Sequence, residues 1–351
     1  MPAAPSPGKT LEAALRSVGR DPATRGAIVA ALLDFERRPE NRFTTIRDDC
    51  TGPIVDALHA GVDTVSKRLA GGLVLEFPYR SKIARDFVMA KPAEPDHVWE
   101  PQTTRLLLHL AAGIEHAIVG GAYFGDQAVP LAHALRGRGV CHAFEPDADQ
   151  ARMLERNAAL NRLDNLRVHA LGLWSDASAF LAFRGADALA STVAAETGIA
   201  TTTIDLYAAA AGIGRLGLVM LDLEGAELEV LKGAEARIRR DSPHLVFEVH
   251  GAYTDWSEGL PNTDIGRFLA ALGYTLFAIR DFQSNVEMAG RPVELVPAQT
   301  AWLEGPPHGF NMLAVRDAAI LADPLFRIVP GVSPKLLFHR DPALHHPVGG
   351  L

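Results

Sequence analysis

Only two of the 351 residues are cysteine, Cys50 and Cys141, and neither has a Cys or His at metal-ligand spacing. Neither a disulfide framework nor a zinc finger is indicated, and a reducing cytoplasmic setting fits best. Positive charge is also scarce: 34 Lys and Arg stand against 42 Asp and Glu, a formal charge of -8. That balance argues against nucleic acid as a partner, because gripping phosphates needs clustered Lys and Arg. Long apolar runs are missing. The stretch 106–114 is broken by His109 and falls far short of the roughly 20 residues a membrane span requires. The start, 1–10, is rich in Pro and Ala without a basic-then-apolar export pattern, so neither export nor membrane insertion is expected. No repeat of solenoid period occurs.

What is present divides at about residue 100. Residues 1–100 carry 14 basic and 14 acidic side chains, so the whole acidic excess lies downstream. The neutral part, 1–95, reads as a mostly helical cap. Ile28, Ala31, Leu32 and Phe35 recur at helical spacing in 24–38, a second helix covers 53–69, and Leu73–Phe77 pairs with Ala84–Ala90 as short strands. From 96 to 317 helices and strands alternate. The strands are His116–Gly120, Gly139–Phe144, Leu166–Ala170, Leu216–Leu221, His244–Val249, Thr275–Ile279 and Asn311–Val315. Being apolar on both faces and separated by helices, they imply an α/β fold: a doubly wound, seven-stranded, mostly parallel sheet. Ligands of such sheets lie at the carboxyl ends of the strands. The tail, 318–351, with five prolines, reads as an extended arm.

The strand ends carry the chemistry. The first runs into Gly120-Gly121-Ala122-Tyr123-Phe124-Gly125, a turn that admits close approach of a ligand to backbone and to a helix N-terminus. Glu145 ends the second, where an acid accepts hydrogen bonds from the ribose hydroxyls of an adenosyl ligand. The third continues into Leu173 and Trp174, a segment suited either to walling an adenine or to the core. The fourth gives Asp222-Leu223-Glu224-Gly225-Ala226-Glu227, three acids that repel one another unless a sulfonium or a metal lies among them. Glu227 alone would be a helix-end acid. On the fifth, strand alternation puts Glu248 and His250 on one side, an acid and a candidate general base. The turn does not supply Gly-x-Gly-x-x-Gly, which speaks against a nucleotide-dependent oxidoreductase.

The run from Gly121 to Gly125, Phe144-Glu145-Pro146, Asn165, Thr203-Ile204-Asp205 and the segment Leu221-Asp222-Leu223-Glu224-Gly225-Ala226-Glu227 together resemble the FkbM family of S-adenosylmethionine-dependent methyltransferases. The resemblance covers about residues 95–317. It implies a class I methyltransferase sheet, with Gly121, Tyr123 and Gly125 at the cofactor turn, Glu145 on the ribose and Asp222 near the transferred methyl. The lead-in Trp99–Thr104, with Gln102 and Thr103, resembles the family's own and would close over the cofactor. Two positions depart from the family pattern: Val119 stands where an acid is frequent, and Tyr123 where Asn is customary.

The activity this implies is methyl transfer to a hydroxyl of a small-molecule acceptor such as a sugar, polyketide or other secondary metabolite. Alternatives are N-methylation and a methyltransferase-like binding module without turnover. An aliphatic hydroxyl holds its proton about as tightly as water, with a pKa near 15.7, so base or metal assistance is expected. His250 is the base candidate, with Asp222, Glu224 and Glu248 beside it; Asp222 and Glu248 offer hard oxygen ligands to Mg2+ or Ca2+. Two long loops, Gly251–Thr263 (Tyr253, Asp255, Trp256, Glu258) and Asp281–Phe310 (Gln283, Asn285, Trp302, His308), are expected to recognise the acceptor. The cap either completes the pocket or joins two copies as a homodimer.

Overall fold

The computed structural model of the chain describes residues 7–41, 44–184, 191–303 and 309–336. The cap begins with three helices, α1 (Pro7–Val18), α2 (Pro22–Glu36) and α3 (Gly52–His59). Asp21 caps α2 by accepting the Thr24 N–H, and Pro22 and Pro53 occupy first turns, where no amide partner is needed. The helix expected over 53–69 stops at His59. Beyond it the β-branched pair Thr64-Val65 opens β1 (Thr64–Arg68), which pairs antiparallel with β2 (Val74–Pro78). The expected partner of β2, Ala84–Ala90, is instead helical: α4 (Lys82–Val88) starts at the cap residue Ser81 and buries Ala84 and Phe87, three apart on one face.

The sheet region follows in order: α5 (Pro101–Leu110), β3 (His116–Gly120), α6 (Ala128–Ala134), β4 (Val140–Phe144), α7 (Ala148–Leu160), β5 (Leu166–His169), β6 (Gly172–Leu173), β7 (Phe180–Arg184), β8 (Ser191–Ala195), β9 (Ile199–Thr202) and α8 (Ile204–Ala210). Then come β10 (Leu218–Leu221), α9 (Glu227–Lys232), α10 (Glu235–Asp241), β11 (His244–Val249), α11 (Asp264–Ala271), β12 (Thr275–Ile279), β13 (Val293–Pro297), β14 (Phe310–Val315) and β15 (Phe326–Ile328). Nine strands, not seven, form the large sheet, in the order β15-β13-β12-β14-β11-β10-β3-β4-β5. The seven expected strands are consecutive within it, parallel from β11 through β5, with β14 antiparallel between β11 and β12.

The two additional strands arise where a loop and an arm were expected. In β13 a buried acid, Glu294, interrupts the apolar pattern; it is neutralised by Arg280 at 2.8 Å and by Arg327 of β15. A four-stranded sheet β6-β9-β7-β8 adds a hairpin beyond β5. The cap is welded to this body. Leu75, Phe77 and Phe87 share one core with Leu106, Val119, Phe124 and Leu154. Asn157 and Asn161 of α7 accept the amides of Glu76 and Val74, satisfying the free edge of β2. Because β3 has β4 on one side and β10 on the other, chain order reverses there, and a crevice opens at the ends of β3 and β10.

Candidate functional site

At the end of β3 the backbone turns through Gly121, at φ +73°, where a Cβ would lie 1.8 Å from the Asp222 carbonyl oxygen. Only glycine permits this approach of the β3 and β10 ends. Gly121 and Ala122 donate to the Phe144 carbonyl, and the Tyr123 N–H donates to Glu145 Oε2 at 2.8 Å. Glu145 Oε1 accepts the Asp147 N–H at 2.9 Å. The second turn glycine serves packing: a Cβ on Gly125 would strike Leu154 and Val129.

Asp222 follows β10, and Glu224 holds a left-handed backbone at φ +51°. Glu227 folds back to accept the Leu223 N–H at 2.7 Å and the Gly225 N–H at 3.1 Å, so it closes this turn and acts as the helix-end acid. Glu248 and His250 leave β11 beside them. Oxygens of Asp222, Glu224 and Glu248 lie within 4.8 Å of one another. These groups meet in a cleft of about 760 Å³, also lined by Trp99, Glu100, Asp126, Gln127, Gln150 and Phe183 and, from the cap, Arg80 and Lys82.

The cleft is electrostatically unbalanced. Burial pushes the carboxyls up: Asp222 to about 6, Asp126, Glu145 and Glu224 to about 7, Glu227 to about 8, and Glu100 and Glu248 well above the usual range. The charge of Asp222 adds to burial at Glu100, Asp126, Glu224 and Glu248. Carboxylates massed in this way call for a cation. His250 moves the other way, held below the ordinary imidazole range by burial and then by Lys335. Its Nδ1 accepts the Ala252 N–H at 2.9 Å, which places the proton of the neutral ring on Nε2.

Of the residues singled out in the sequence, Gly121, Tyr123, Glu145, Asp222, Glu224, Glu248 and His250 line the cleft. Gln102 and Thr103 do not. Their amides are capped by Asp281 at 3.0 and 2.7 Å and their side chains are buried in α5, so the lead-in offers Trp99 and Glu100 instead. Leu173 and Trp174 also stand off it: Leu173 is buried in the core, where a Cβ on Gly120 would touch it, and the Trp174 carbonyl packs on Gly233. Phe183 of β7 is the aromatic residue at that end of the cleft.

The long loops divide in the same way. Gln283 lines the cleft, Asn285 binds the His97 and Val98 carbonyls, Trp256 stacks on Phe310, and Trp302 is exposed. Tyr253, Asp255 and Glu258 line a separate hollow of about 380 Å³ that shares Glu248. His308 lies outside the described residues. Sequence reasoning missed Glu100, Asp126, Phe183 and Arg80. Glu100 before Pro101 and Asp126 after Gly125 stood beside recognised motifs, whereas nothing in the sequence marks Phe183 or Arg80.

Residues 120–276 match the methyltransferase FkbM domain. No curated protein matches the chain. Among solved structures it is similar to methyltransferase FkbM from Methylobacillus flagellatus (22% identity, TM-score 0.29), over 38% of this chain and only 32% of that one. It is also similar to an O-methyltransferase from Bacillus cereus in complex with SAH (14% identity, 61% of this chain and 81% of that one, TM-score 0.34). A third is an rRNA methylase from Streptococcus thermophilus (10% identity, 61% and 93%, TM-score 0.34). Over residues 120–276 the chain thus belongs to the FkbM methyltransferase family.

Proposed function

We propose that the chain is an S-adenosylmethionine-dependent methyltransferase acting on a hydroxyl of a small molecule. One observation carries the reading. The Gly121 turn, Glu145 and the cation-seeking Asp222 converge in one cleft at the point where strand order reverses. These residues fit a ligand that is both a nucleoside and a cation, and the volume is that of a small-molecule site.

S-adenosylmethionine, when bound, supplies a methyl group on a positively charged sulfur that leaves as a neutral thioether. The chain's own residues then have distinct tasks. Each Glu145 oxygen has given one lone pair to a backbone amide and keeps another for a ribose hydroxyl. Asp222, with Glu100 and Asp126, gives the cleft a negative floor. On the acceptor side His250 carries its proton on Nε2 and acts as a donor that orients an oxygen, so the base is a carboxylate. Glu224, with its pKa near 7, is poised to take the hydroxyl proton. Trp99, Tyr123 and Phe183 exclude water around them.

The test is a mass-spectrometric search, in a small-metabolite extract incubated with the chain and S-adenosylmethionine, for products heavier by one methylene. An O-methylated product that fails to form with Glu224→Gln supports the reading. Methylation on nitrogen alone, or no product from the wild type, overturns it.

A further inference from the structure

The carboxylates of the cleft differ in their partners. Glu145 and Glu227 each hold two backbone amides, Asp281 holds those of Gln102, Thr103 and Phe282, and Glu100 accepts the Asn311 amide. Asp222, Glu224 and Glu248 accept no side-chain hydrogen bond from any described residue. Burying a carboxylate without a partner is costly, and three sharing one place are costlier still.

Glu248 is the sharpest case. It is 9% exposed, and its Oε2 is buried without a partner among the described residues. A Cβ on Gly309 would lie 1.9 Å from its other oxygen, so the backbone closes that side and leaves the carboxylate directed at its two neighbours. Lys335 lies near enough for Glu248 to act on its charge. One ammonium and one sulfonium do not balance these three acids together with Glu100 and Asp126.

We propose that Asp222, Glu224 and Glu248 bind a divalent cation of the magnesium or manganese kind, with the acceptor hydroxyl completing its shell. All the donors are hard oxygens, the set such ions prefer, and magnesium commonly takes one or two carboxylates together with substrate oxygens. The cation lowers the pKa of the hydroxyl it binds, and the proton passes to the free oxygen of a coordinating carboxylate. Only this role rests on the methyl-transfer reading; the binding does not.

The test is titration of the full chain with Mn2+, followed by loss of the free-ion electron paramagnetic resonance signal. Calorimetry with S-adenosylhomocysteine is run on the same samples. Saturable binding at one site, competed by Mg2+ and weakened about tenfold or more in Glu248→Gln and in Glu224→Gln, is the expected result. Glu224 is half-buried in a turn, so its variant keeps the test valid if Glu248→Gln misfolds. No saturable binding by the wild type, or undiminished binding by the folded variants, overturns the cation site even if S-adenosylhomocysteine binds. Mn2+ binding without S-adenosylhomocysteine binding supports the site and overturns the methyltransferase reading.

Discussion

Glu145, Asp222 and His250 directly follow strands whose ends the sequence marks clearly, and Glu248 lies one residue inside the last of them. That is why these four were legible as site residues: an apolar strand that stops at a charged residue identifies its own carboxyl end. Leu173 and Trp174 misled because an apolar segment past a strand end does not say which way it faces. Here Leu173 turns under Gly120 rather than toward the cleft. The role of His250 was equally hidden, since only the Ala252 amide on its Nδ1 decides where the ring proton sits. At this scale Gly121 is the most demanding position. In Gly121→Ala the new Cβ meets the Asp222 carbonyl, and the residue must hold φ +73°. The variant should lose about 2 kcal/mol or more of unfolding free energy in a urea titration. Stability equal to the wild type would show that the β3 and β10 ends are not so closely joined.

Elements were legible where packing and pattern agree. The seven strands from β3 to β14 that are apolar on both faces were readable because nothing polar interrupts them. β13 was not, because Glu294 looks like a surface acid until Arg280 and Arg327 are placed beside it. β1 was lost to Lys67 and Arg68, which suit the solvent side of a helix as well as of a hairpin.

The strands also carry a pH-sensitive assembly. His142 of β4 and His169 of β5 share the Tyr207 hydroxyl of α8, each at 2.7 Å, and His116 of β3 meets His142 at 3.2 Å. Burial, then the neighbouring His116 and His169, pushes His142 down to about 4. Its folded pKa lies below the unfolded value of 6.5, so the fold favours the neutral ring. The stability this contributes is complete above 6.5 and is lost as pH falls toward 4, on the order of 3 kcal/mol in all. The buried carboxyls act in the opposite direction, so the quantity to measure is the pH dependence of wild type minus that of His142→Gln. Urea titrations at pH 7.5 and 4.5 should show this difference shrinking at the lower pH. A constant difference would mean that His142 titrates normally.

For the whole molecule, the acidic excess noted in the sequence falls largely at the cleft, while the neutral cap contributes Arg80 and Lys82 to its rim. The composition change at residue 100 therefore marks a change of role rather than a break in packing. Leu75, Phe77 and Phe87 sit in the core of the sheet, and Asn157 alone makes hydrogen bonds to Glu76 and Phe124. A chain shortened to begin at residue 96 would expose that core and should fail to give a cooperative thermal transition. A sharp melt near that of the full chain would show that the cap is dispensable for folding.

The central claim concerns what fills the cleft, and calorimetry with S-adenosylhomocysteine on the full chain tests it most directly. The account predicts saturable binding at one site, weakened about tenfold or more by Glu145→Ala, since a hydrogen bond to a charged group contributes about 1.5–3 kcal/mol. Absence of binding by the wild type, or equal affinity in the folded variant, would contradict it.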